Sequence, residues 1–339
     1  MRVHPAGFTE RPISFGYDFR MCCESCSHAS ALSGADYVRL EAENDALMEC
    51  THCHQPTRFG PLASAIRDEN DPVLDDSVLN NVIWYHTSPY ADWPSKNYEH
   101  DQRALLAASR IQGWGDTERT LRVLLGKALH LGTYEAAIEN MYRRMRNQND
   151  AQAAFFLHRV RISVDPARIN PGCRDERDEA AADISITQLD DYGLDAVRYL
   201  NVWEALGSIS LAVRPSVITD LHTVAIPSVL GPVDDLPSPL ADLIQDLERK
   251  DAMPAAPEKR ELRSCTLAEE LKDALIACFL PEVNLKVAHQ FAEAVAEAHG
   301  PTGSGFRDYA RLFAEHARLL YAPGQVLDPL AAAPRRSLP

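Results

Sequence analysis

The chain lacks an apolar run of membrane-spanning length, because charged residues interrupt each of its longest hydrophobic stretches. A helix needs about 20 consecutive apolar residues to cross a bilayer, so no membrane association is expected. The opening "MRVHPAGFTERPISFGYDFR" has no apolar core behind its basic residue, so it does not read as a secretory signal, and a cytoplasmic location is expected. Positive charge is scarce as well. The 339 residues carry 34 Lys and Arg against 49 Asp and Glu, a formal charge of -15. Gripping nucleic-acid phosphates requires clustered cations, so this balance disfavours nucleic acid as the main partner. A composition of 45% hydrophobic and 24% charged residues nevertheless suits a cored, soluble chain long enough for two domains.

Cysteine is sparse after residue 53, and five of the eight lie within the first 53 residues. The pattern is Cys23-x2-Cys26, 23 intervening residues, then Cys50-x2-Cys53. Two short knuckles, each presenting two thiolates to one side of an ion, suit tetrahedral Zn2+ in a structural site. Cys22 could replace Cys23, and His28, His52 and His54 lie close enough to compete, although exposed loop histidines are the simpler reading. A four-cysteine ribbon staples a segment too short for a core of its own. Its "EAENDALMEC" stretch is acidic, which points to a protein-facing or intramolecular module.

Beyond an acidic connector, "VIWYHTSPYADWPS" begins as a strand and ends in turn residues, and "DQRALLAASRI" and "DTERTLRVLLGKAL" have helical spacing, the latter with Asp116 or Thr117 as cap. In "GKALHLGTYEAAIENMYRR" the stretch "KALHL" reads as a short buried strand that carries His130. Gly132-Thr133 then turns into a helix whose apolar residues recur at Tyr134, Ala137, Ile138, Met141 and Met145. Arg143, Arg144 and Arg146 occupy its last turns, where the helix dipole favours cations. "AAFFLHRVRISVDPARI" alternates as a strand, "RDERDEAAADISITQLDDYG" reads as an acidic surface excursion, and Gly207 to Val213 forms another buried strand. From about residue 236 amphipathic helices take over, one beginning at Ser238-Pro239 and one with a Thr266-to-Glu269 capping box.

A strand ending in His-x-Gly-Thr and running into a helix resembles the nucleotide-binding opening of the ADP-ribosyltransferase superfamily, in its His-Tyr-Glu class. "YLNVWEALGSISLAVRPSVI" resembles that superfamily's glutamate-bearing strand. The resemblance spans roughly residues 80 to 220 and implies NAD+ as substrate. It assigns His130 to the adenosine-side ribose, Gly132 to close backbone approach at the nicotinamide amide, and Thr133 to the adjoining hydroxyl. Glu204 becomes the carboxylate beside the nicotinamide-side ribose, so Glu204 and His130 are the expected catalytic residues. Glu204 stands four residues before Ser208, whereas the family glutamate usually lies on the strand, and Ser208 or Ser210 takes the neighbouring contacts. The family's second-strand tyrosine is missing, with Phe155 or Phe156 in its place as the ring that stacks on nicotinamide. His86, Thr87 and Ser88 offer a second strand-end anchor with hydroxyls, which lacks the glycine.

The expected architecture is α+β: a zinc ribbon and connector over 1–75, a mixed two-sheet NAD-binding domain over 76–232, a helical domain over 233–322 and a disordered tail over 323–339. The expected activity is cleavage of the nicotinamide-ribose bond with transfer of ADP-ribose to an acceptor, protein being favoured over nucleic acid. The displaced glutamate and missing tyrosine motivate the alternative, a non-catalytic zinc-ribbon interaction protein on a degenerate transferase fold.

Overall fold

The computed structural model describes residues 2–3, 8–108, 117–147, 154–177, 181–254 and 256–338. Asp116, one of the two expected helix caps, lies outside them. Strands β1 (Arg2–Val3) and β2 (Thr9–Glu10) form a small antiparallel pair. The ribbon follows, with hairpin β3 (Phe19–Cys22) and β4 (Ala29–Leu32), helix α1 (Gly34–Ala42), and hairpin β5 (Leu47–Glu49) and β6 (Pro56–Arg58). Next come β7 (Trp84–Ser88), α2 (Tyr98–Ala108), α3 (Thr117–Leu125), β8 (Leu129–Leu131), α4 (Tyr134–Asn147) and β9 (Phe156–Ile162). The chain continues through β10 (Arg174–Asp175), α5 (Ile186–Asp191), β11 (Ala196–Leu200), β12 (Ile209–Val213), β13 (Ile218–Ala225) and α6 (Ile226–Leu230). Helices α7 (Ser238–Asp251), α8 (Pro257–Phe279), α9 (Leu285–His299), α10 (Pro301–Tyr321) and α11 (Gly324–Ala332) precede β14 (Arg336–Ser337). Among the described residues no helix is long and apolar enough to cross a membrane.

Two four-stranded sheets form the centre of this mixed α+β fold, ordered β14-β13-β9-β7 and β10-β11-β12-β8. All neighbours are antiparallel except β10 and β11. The facing sides bury one apolar layer that includes Trp84, Leu131, Val160, Leu211 and Leu221. Every residue of β12 is buried, as an unbroken Ile-Ser-Leu-Ala-Val run requires of a strand covered on both faces. The outer side of β7 and β9 packs against α4 and the C-terminal helices, so Tyr85, Leu157, Ile138, Leu271, Phe291 and Phe313 belong to one cluster.

The sheets meet where Tyr85 of β7 and Gly132, just past β8, exchange two backbone hydrogen bonds of 3.0 Å. A Cβ at Gly132 would lie 2.8 Å from the Ala136 Cβ and 3.2 Å from Ser210 Oγ, so only glycine lets strand, turn and helix close this tightly. Thr133 caps α4, its Oγ1 accepting from the Ala136 amide at 3.0 Å. Tyr134, Ala137, Ile138, Met141 and Met145 are all buried, as the 3.6-residue periodicity predicts.

Three expectations are corrected. The stretch 323–339, expected to be disordered, carries α11 and β14; Val326 and Leu330 are buried and β14 pairs with β13. Thr266 does not open a helix but lies inside α8, its hydroxyl bonded to the Leu262 carbonyl at 3.0 Å, because the charged turns before it extend the helix upstream. The acidic excursion contains β10 and α5, the latter held by a Ser185–Gln188 capping box and buried Leu189.

We expect Phe313→Ala, which removes a fully buried ring centred 4.8 Å from that of Phe291, to cost about 3–5 kcal/mol. The urea midpoint measures this; a change under about 1 kcal/mol would contradict the packing described.

Candidate functional site

Cys23, Cys26, Cys50 and Cys53 bring four sulfurs within 4.8 Å of one another. The Cys23–Cys53 and Cys26–Cys50 pairs are each separated by 3.7 Å. A tetrahedral ion with Zn–S bonds of about 2.3 Å requires sulfurs about 3.8 Å apart, so the donor set fits a zinc ribbon. The knuckles share one conformation. The Cys23 amide donates to the His28 carbonyl and the Ser27 amide to the Cys23 carbonyl, and the same bonds recur as Cys50 to Gln55 and His54 to Cys50. Ser27 and His54 occupy the left-handed region at φ 59° and 56°. Amides of Cys53 and His52 lower the Cys50 thiol to about 5, favouring the thiolate a metal needs. Cys22 points elsewhere, toward the Ser27 carbonyl, His28 stacks on His52 and His54 pairs with Glu49, so none joins the cluster.

A cavity of about 470 Å³ lies at the Tyr85–Gly132 junction, within the 300–1,000 Å³ typical of small-molecule sites. His130, Gly132, Glu204 and Ser210 all line it, as do His86 and Thr87. His130 Nδ1 lies 3.2 Å from the Tyr199 hydroxyl, while its Nε2 is buried with no partner among the described residues. Burial, then the charges of Lys127 and Arg143, lowers its pKa to about 4, so the ring is neutral at physiological pH. His86 donates from Nδ1 to the His130 carbonyl at 2.9 Å and stacks on Trp93 at 4.0 Å between centroids. The Tyr85 hydroxyl, on a residue only 3% exposed, likewise has no partner among the described residues.

Glu204 reaches the cavity because the β11–β12 connection folds back on itself. Asn201 organises that turn: its Oδ1 accepts from the Trp203 and Glu204 amides at 3.1 and 2.8 Å, and its backbone bonds Ser208 and Gly207. The four-residue displacement of Glu204 from the strand is taken up by this curl. Glu204 Oε1 pairs with Arg143 of α4 at 2.5 Å, and the carboxylate side chain is 13% exposed. Desolvation raises its pKa while Arg143 opposes the rise. Ala205, at φ 43°, donates its amide to Glu139 Oε2 at 2.8 Å, and Glu139 Oε1 accepts from the Tyr17 hydroxyl at 2.7 Å. Gly207, at φ 86°, accepts from the Arg67 amide at 2.8 Å.

Comparison with known proteins adds no relative. No family model matches the chain, and no curated protein or solved structure shows significant similarity to it.

The remaining expected site residues divide. Thr133 is spent on its cap, and Thr87 lines the cavity with its hydroxyl bonded to the Ala137 carbonyl at 2.7 Å. Ser88 and Ser208 are buried but do not line the cavity, Ser88 accepting from the Tyr90 amide. Phe155 and Phe156, expected to stack on nicotinamide, do not line it either. Phe155 lies in the helical core with Arg144 over its ring, because β9 is interior to the other sheet. Tyr199 and Trp203 are the aromatic rings on the β11–β12 side. Sequence reasoning also missed Arg143 as a partner of Glu204, and Glu176 on the cavity wall. Treating "VRYL" as a strand of its own would have exposed Tyr199, but nothing distinguishes Glu176 among the acids around it.

We expect one zinc per chain, retained in Cys22→Ser and lost in Cys50→Ser by metal analysis after dialysis; loss from Cys22→Ser would contradict the ligand set. Burial lifts the Glu139 carboxyl from its ordinary 4.5 to about 7. Its folded pKa thus exceeds the unfolded one, so the stability it contributes is complete below about 4.5 and lost as pH rises through about 7. Urea midpoints at about pH 5 and 8 are expected to fall less in Glu139→Gln than in wild type; an equal fall would contradict the assignment.

Proposed function

We propose that the protein is an NAD-dependent ADP-ribosyltransferase that cleaves the nicotinamide-ribose bond and passes ADP-ribose to an acceptor. The reading is supported chiefly by one observation: His130 and Gly132, from a strand-turn-helix, share a single cavity with Glu204 from the turn between two strands of the same sheet. His130 binds the adenosine-side ribose through Nε2, the ring atom left free by the contact of Nδ1 with Tyr199. Gly132 presents bare backbone to the nicotinamide amide, and Tyr199 or Trp203 supplies the flat face that holds the ring. As the glycosidic bond breaks, its electron pair leaves with the nicotinamide nitrogen and the ribose acquires positive charge. Glu204, buried and paired with Arg143, places its carboxylate where it stabilises that state. Zinc bound by the four cysteines acts on shape alone, since four protein ligands leave no open position. The acidic charge of the chain favours a protein or small-molecule acceptor over nucleic acid.

The Arg143–Glu204 ion pair favours a second reading. A carboxylate already neutralised fits a site that binds without turnover, on a protein whose ribbon serves as an interaction module. Nicotinamide release from NAD by the zinc-loaded protein, with and without cell lysate, separates the two. We expect release, lowered on the order of 10²–10³-fold in Glu204→Gln. Full activity in both Glu204→Gln and His130→Ala would remove the site assignment, and absence of both release and NAD binding would leave the interaction reading.

A further inference from the structure

The cavity holds a second carboxylate that the chemistry above does not use. Glu176 follows β10, is 8% exposed, and lines the same wall as Glu204. One oxygen, Oε2, accepts from the Val202 amide at 3.0 Å, so the turn that carries Glu204 also fixes Glu176. Its chain neighbours are occupied by each other, Asp175 accepting from Arg177 Nε at 2.7 Å. His130, whose Nε2 has no partner among the described residues, lines the same cavity, as do Arg143 and Asn201, so the space is one that suits a polar ligand.

Resting on the NAD-cleaving reading, we propose that Glu176 is the general base that deprotonates the acceptor, and that the acceptor is a neutral O–H group, water being the smallest. The environments of the two carboxylates differ in the sense this division of labour needs. Glu204 is bonded directly to Arg143, whereas Glu176 is bonded by the backbone amides of Val202 and Ala181 and faces Glu204 from the turn, Arg143 from α4 and Tyr199 from β11. Burial, only partly opposed by the Val202 amide, and the nearby Glu204 charge lift Glu176 to about 7. Two carboxylates on one cavity, only one of them paired with a guanidinium, suit a division in which one stabilises charge and the other carries a proton. In the step itself the acceptor oxygen forms a bond to the ribose anomeric carbon, the carbon–nitrogen bond to nicotinamide breaks with its pair going to nitrogen, and the acceptor proton passes to Glu176. A guanidinium acceptor suits this wall poorly, because Arg143 already carries positive charge there.

The test is the pH dependence of NAD turnover by the zinc-loaded wild type, Glu176→Gln and Glu176→Asp, with NAD affinity measured by calorimetry. Added methanol distinguishes the sources of the O–H group: methyl ADP-ribose forming beside ADP-ribose indicates an open acceptor pocket, and ADP-ribose alone indicates water. Wild-type kcat is expected to fall about tenfold per pH unit below about 7. Glu176→Gln is expected to lower kcat on the order of 10²–10⁴-fold, to lose that limb and to bind NAD within about threefold of wild type. Glu176→Asp should keep a displaced limb, and Glu139→Gln should keep the limb of wild type. An undiminished rate with the acid limb intact in folded Glu176→Gln would overturn the role of Glu176 alone. Absence of NAD turnover in wild type would overturn the transferase reading and this proposal with it.

Discussion

Two backbone hydrogen bonds between Tyr85 and Gly132 tie the sheets together, and the positions of His86, His130 and Arg143 at the cavity follow from that junction. They fix β8 against β7, so His130 and His86 come together with the His86 ring bonded to the His130 carbonyl. They set the start of α4, which delivers Arg143 to the cavity about two and a half turns later. A side chain at residue 132 would push against Ala136 and Ser210 at once, prising apart helix and strand. Histidine supplies the polar group, glycine permits the approach, and threonine starts the helix.

A second set of contacts runs from the ribbon to the turn bearing Glu204. The Ala65 amide bonds the Arg20 carbonyl beside the first zinc knuckle, and two residues on the Arg67 amide bonds Gly207. The Arg67 guanidinium lies over Tyr17, whose hydroxyl bonds Glu139, which in turn holds the Ala205 amide. Left-handed residues at Ala205 and Gly207 are therefore held from outside the turn, in a conformation a free loop would seldom adopt. The ribbon also packs on α9, where the bare backbone of Gly34 fits against Asn284 and Lys286 pairs with Glu41. Its four-cysteine cluster thus sits in a module that supports the cavity without lining it.

Much of this was legible in the sequence where a local rule governs. The four cysteines, the strand-turn-helix at His130 and the C-terminal amphipathic helices follow from spacing, capping and periodicity. Strand β11 was hidden because Ala-Val-Arg-Tyr-Leu does not alternate; both faces are covered, and Arg198 is buried against Asp76 and the Gly172 carbonyl. The tail looked structureless because its proline and arginines carry no periodic signal, yet Arg335 meets Asp220 and Arg336 reaches the Asp92 and Trp93 carbonyls. Phe155 and Phe156 do not line the cavity, and chain position alone does not say which face of which sheet a residue joins. Glu176 could not be singled out, since what distinguishes it is a tertiary contact with Val202.

The proposed function requires the cavity at the Tyr85–Gly132 junction to bind NAD. Its most direct test is calorimetric titration of NAD into the zinc-loaded wild type and Gly132→Val, with circular dichroism to establish that both are folded. The account predicts stoichiometric binding to wild type and its loss in folded Gly132→Val. Equal binding by the two proteins, or none by wild type, would contradict it.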